Sequence, residues 1–126
     1  MDKQIIQTKD APSAIGAYSQ AVKVGSTLYI SGQIGLDPQT MQMQMGIEAQ
    51  IHRVFKNLQA ILNASGGDFS NVVRLSVYLT DLSNFVLLNQ IMQTYMKAPY
   101  PARSAIGVKE LPKAALIEID AIAAIG

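Results

Sequence analysis

The 126-residue sequence contains no cysteine and no tryptophan, and His52 is its one histidine. Without cysteine there is no disulfide, no thiol nucleophile and no thiolate ligand, and a lone histidine does not build a zinc site. No metal centre is expected, and a reducing compartment such as the cytoplasm is compatible with the composition. Charge is scarce as well: charged residues make up 15% of the chain, against roughly 25% in ordinary soluble domains, and the net charge is +1. The lysines and arginines are scattered, so the long basic face that would follow a phosphate backbone is not evident and no nucleic-acid partner is expected. No apolar run is long enough to cross a bilayer, and residues 1–10 are polar and charged, so neither a membrane span nor a secretory leader is expected.

What the chain has in quantity is apolar side chains, 49% of the total. Its length suits one domain over 1–126, large enough to bury a core. So little charge on so small a domain predicts burial of part of the surface against copies of itself.

Glycine and proline punctuate short elements. "KQIIQT" reads as a first strand. Residues 21–24 and 27–31 flank Gly25-Ser26 as an antiparallel hairpin. From Ile47, the positions Ile51, Val54, Phe55, Leu58, Ile61 and Leu62 recur at helical spacing, with Gln50, His52, Arg53, Lys56, Asn57 and Gln59 largely opposite. "SGG" supplies the left-handed cap. "NVVRLSVYLT" alternates Val73, Leu75, Val77 and Leu79 against Arg74, Ser76 and Tyr78, as a strand should. Asp81 or Ser83 caps a second helix running to about Met96, which Pro99 and Pro101 stop. Residues 103–108 and 115–125 then read as a final strand pair joined by "KELPKA". The order predicts an α+β fold, a mixed sheet with both helices on one face.

Within this greasy tail, Arg103, Glu118 and Asp120 stand out. Pairing the last two strands as a hairpin puts Arg103 near Glu118 or Asp120 in a register the sequence does not fix. That contact is either a structural ion pair at a sheet edge or part of a pocket. The small Ala105 and Gly107 leave room beside Arg103, whose guanidinium binds carboxylates through two parallel hydrogen bonds. Glu118 nearby could hold or activate a water as acid or base. His52 reads as a solvated helix residue, "MQMQM" as a loop whose methionines cover apolar surface, and Tyr18 as an exposed-loop aromatic. "SGQIG" offers close backbone approach at Gly32 or Gly35 without the setting of a phosphate loop.

These residues resemble the RidA (YjgF/YER057c/UK114) family of reactive-intermediate deaminases along nearly the whole chain. The likeness is carried by "APSAIGAYSQAV", "YISGQIGLDP", "VVRLSVYLTDLSNF" and above all "YPARSAIGVKELPKAALIEIDAIA". The resemblance implies a chorismate-mutase-like fold assembled as a homotrimer with clefts between subunits. It implies cofactor-independent hydrolysis of enamines and imines such as 2-aminoacrylate, 2-iminopropanoate and 2-iminobutanoate to 2-oxo acids and ammonia. It assigns Arg103 to the substrate carboxylate, Glu118 to water, and Tyr18, Ser31, Gly32 and Asn89 to the cleft lining. The alternative is a protein that binds a 2-oxo acid in the same clefts without turnover; nucleic-acid binding or ribonuclease action, as claimed for some relatives, would need a basic groove that the sequence lacks. Ala105 stands where many members have cysteine, Gly35 replaces a usual proline, and Met41 ends a turn where a glycine is usual. Those departures bear on substrate range.

Overall fold

The computed structural model describes residues 2–126. Six strands form one mixed sheet: β1 (Lys3–Ile6), β2 (Ala21–Val24), β3 (Thr27–Gln33), β4 (Val72–Leu79), β5 (Ala102–Gly107) and β6 (Ile117–Ala124). Two helices, α1 (Ile47–Ala64) and α2 (Phe85–Tyr95), lie on one face. The spatial order is β1-β2-β3-β6-β4-β5. Among the described residues no helix is long and apolar enough to cross a membrane.

The β2–β3 hairpin turns through Gly25-Ser26 as expected, with Gly25 at φ 60°. α1 buries Ile51, Val54, Phe55, Leu58, Ile61 and Leu62. It ends where Gly66, at φ 86°, donates to the Asn63 carbonyl and Gly67 donates to that of Leu62, the paired bonds of a glycine-terminated helix. Asp81 caps a short 3₁₀ turn that leads into α2, accepting from the Ser83 N–H at 2.9 Å.

Three expectations change. β5 and β6 do not pair: β5 lies parallel to β4, and β6 runs antiparallel between β3 and β4. Segment 81–101, carrying α2, is long enough for the crossover that parallel neighbours require. Val73 is half exposed rather than buried, because a bulge shifts the register between Val72 and Arg74 and leaves Val72 on the core side. Gln50 and Asn57, placed on the polar side of α1 by periodicity, are buried. Asn57 donates to the carbonyls of Ile34 and Leu36 and accepts from Arg53 Nε at 3.0 Å. Gln50 donates to the Gln44 carbonyl and accepts from the Leu116 N–H. These two amides hold the β3–α1 loop and the entry to β6, whose backbone would otherwise be unpaired.

Candidate functional site

The strand registers decide where the charged residues point. Leu75 of β4 faces the helices, and Arg103 is its direct partner on β5. Tyr78, three residues on and on the other face, is the direct partner of Glu118 on β6. Side chains alternate along a strand, so Arg103 and Glu118 project from opposite faces, with β4 between them. The expected cross-strand contact of Arg103 with Glu118 or Asp120 is therefore absent.

Arg103 reaches towards α2. Its Nη1 donates to Asn89 Oδ1 at 2.6 Å and lies 3.5 Å from Met92 Sδ, while its guanidinium sits 4.8 Å from the centre of the Phe85 ring. Phe85, Asn89 and Met92 recur at helical spacing, so one stripe of α2 orients the guanidinium. Asn89, Met92, Gln93, Tyr100, Pro101 and Arg103 line a cavity of about 300 Å³. Room beside the guanidinium comes from this side, not from Gly107, which Leu82 covers closely.

Glu118 stands in a second and larger cavity of about 510 Å³. Tyr18, Ser31 and Gly32 share it with Lys113, and Met41 closes its rim. β3 carries one extra residue between Ile30 and Gln33, and this bulge turns Gly32 towards Glu118. A Cβ on Gly32 would lie 2.8 Å from Glu118 Cδ, so only glycine leaves the carboxylate its place. Ser31 Oγ donates to the Ser19 carbonyl at 2.6 Å and ties the Tyr18 loop to the strand. Burial, with the negative charge of Asp120 second, pushes the Glu118 carboxyl above its ordinary range. Among the described residues, the non-glycine ones with positive φ are Met41, Lys113 and Ala114, at 56–58°. Two of them line this cavity, where strained backbone often accompanies function.

The six site residues expected from the sequence thus fall into two groups. Arg103 and Asn89 hold one cavity; Glu118, Tyr18, Ser31 and Gly32 hold the other. Phe85 and Met92 are additions that the sequence reading misses, although their spacing from Asn89 on a helix is a usable signal. His52 is not simply solvated: its Nδ1 is 2.7 Å from the Tyr95 hydroxyl and the ring is half-buried. Within "MQMQM", Met45 is 90% exposed and covers nothing in this chain.

The family model described as Endoribonuclease L-PSP matches residues 8–125. The 2-iminobutanoate/2-iminopropanoate deaminase of Rattus norvegicus is 48% identical, over 98% of this chain and 91% of its own length. RidA from the Antarctic bacterium Psychrobacter sp. has a solved structure similar to this one, with a TM-score of 0.95 at 52% identity, covering 97% of this chain and 99% of that one. TdcF of E. coli, solved with bound serine, has a TM-score of 0.91 at 36% identity, covering 98% of this chain and 99% of that one.

Proposed function

Because this chain belongs to the Endoribonuclease L-PSP family, which includes the RidA proteins, we propose that it is a 2-iminobutanoate/2-iminopropanoate deaminase. Its substrates in this reading are small 2-imino acids and their enamine tautomers, and its products are 2-oxo acids and ammonia. One observation carries the mechanism: a guanidinium held by a helix and a half-buried carboxylate each open into a cavity, yet on opposite faces of one sheet.

A single chain does not bring the two together, so the site is a cleft between copies, Arg103 from one and Glu118 from its neighbour. The face opposite the helices supports such an assembly. It leaves Ile5, Tyr29 and Ile106 about half exposed, an apolar surface of the kind that seeks a partner. The assembly we propose is a homotrimer with three equivalent clefts.

Arg103 would take the substrate carboxylate. Its planar group has five N–H donors, and Asn89 occupies only part of that set. An imine carbon is already electrophilic, so orientation and proton transfer carry the rate. Glu118 accepts a proton from water as the water oxygen bonds to C2. That proton passes to the imine nitrogen; the new hydroxyl then gives up its own proton, which Glu118 relays to the amino nitrogen as the C–N bond breaks, so the carbonyl forms and ammonia leaves carrying both water protons. An enamine enters the same path after protonation at C3.

A dehydratase acting on serine or threonine supplies the intermediate for the test, and semicarbazide traps what survives. Wild type is expected to lower trapping. Arg103→Ala is expected to lose about a hundredfold or more of the acceleration, because it removes a charge-assisted hydrogen bond from the transition state. Full turnover by Arg103→Ala would remove the site assignment. If wild type gave no acceleration but bound 2-oxobutanoate through Arg103, the protein would be a 2-oxo acid binder instead.

A further inference from the structure

Tyr78 and Asp120 stand beside Glu118 without a part in the chemistry just described. Tyr78 is the direct neighbour of Glu118 across β4 and β6, and Asp120, two residues along β6, shares its face. The Tyr78 hydroxyl donates to Asp120 Oδ2 at 3.2 Å. Arg74, the cation on the same face of β4, is turned to Ser104 Oγ at 2.8 Å. Two carboxylates therefore sit on one face of one strand, and the phenol that could have served either is bonded to Asp120.

We propose that Tyr78 and Asp120 are positioning residues that set the proton occupancy of Glu118, the phenol fixing a negative charge beside the carboxyl that handles the proton. The inference rests on the reading of Glu118 as the base. A carboxylate that ionises too easily takes a proton from water weakly, and a base works best when its affinity for protons matches the working pH. Cations also face the Glu118 cavity. Lys113 shares its cavity, and the neighbour's Arg103 would face it in the assembled cleft. Tyr18 is the remaining titratable group lining that cavity, and β3 contributes none there. Burial, and then the charge of Asp120, raise the proton affinity of Glu118. Asp120 in turn is the first cause of the raised pKa of Tyr78, followed by burial, so the phenol stays protonated and keeps donating.

The test is the pH dependence of kcat/KM for imine hydrolysis, with the Glu118 carboxyl followed independently by ¹³C NMR. Activity requires ionised Glu118, so the rate falls on the acid side as that group protonates. Removing a neighbouring negative charge makes ionisation easier, so Asp120→Asn is expected to move the acid limb to lower pH by roughly half a unit or more. Tyr78→Phe, which frees the Asp120 side chain, should move it the same way by less. Asp120→Glu keeps the charge and should stay near wild type. Superimposable limbs, and carboxyl titrations that coincide in wild type and Asp120→Asn, would overturn the proposal. If wild type turned over no imine, the deaminase reading would fail, and the NMR titration would still decide whether Asp120 governs Glu118.

Discussion

Glu118 keeps its place because Gly32 has no side chain, and that dependence separates function from folding. An alanine Cβ at position 32 would press on Glu118 Cδ at 2.8 Å and more closely on Oε2, the tip of a flexible side chain rather than backbone. The carboxylate can swing aside while the sheet stays as it is. Gly32→Ala is therefore expected to unfold within a few degrees of wild type yet lose about a hundredfold in turnover, as displacement of a reacting group by an ångström does. Thermal unfolding and steady-state rates on the same preparation check this; a variant equally active and equally stable would show that Glu118 tolerates displacement. Arg103 and Glu118 stood out in the sequence because a charge in an apolar strand needs a reason. Their neighbours were not. Neither the bulge that turns Gly32 towards Glu118 nor the face on which Arg103 lies is visible until the strands are ordered.

The helices and the first hairpin followed from periodicity and turn chemistry; the order of the last strands did not. Chain proximity suggested that β5 and β6 pair, but β6 buries Ile117, Ile119, Ala121 and Ala123 while β5 is mostly exposed or half-exposed. That contrast marks a central and an edge strand, and "LIEIDAIAAI" carried it as a nearly continuous apolar run. What hid the topology was the crossover through α2, which makes β5 a parallel neighbour of β4. The β3–α1 connection shows the same coupling between elements. Gly35 lies so close to α1 that a Cβ there would be 2.9 Å from the Gln50 Cα. Backbone cannot swing aside, and Gln50 also holds the Leu116 N–H at the entry to β6. Gly35→Ala is expected to destabilise the protein by about 1–3 kcal/mol, the usual cost of overpacking, read as a lower unfolding midpoint in denaturant. An unchanged midpoint would mean that α1 shifts freely on the sheet.

For the whole molecule, Arg103 and Glu118 project from opposite faces of the sheet, so the proposed catalysis would be a property of the assembly. If each cleft draws its arginine and its glutamate from different copies, two inactive variants can complement each other. Arg103→Ala and Glu118→Ala should each be inactive as pure trimers. Unfolded together in equal amounts and refolded, they should form clefts with both residues intact in about a quarter of cases, because each of two neighbouring positions is filled correctly half the time at random. About a quarter of the wild-type rate is the expected result, and mixing the folded trimers without exchange should give none. A site contained within one chain predicts no activity in either mixture, since every chain lacks one of the two residues. The refolded mixture thus reads out where the cleft lies, and the exposed Ile5, Tyr29 and Ile106 face is the surface on which the proposed copies would meet.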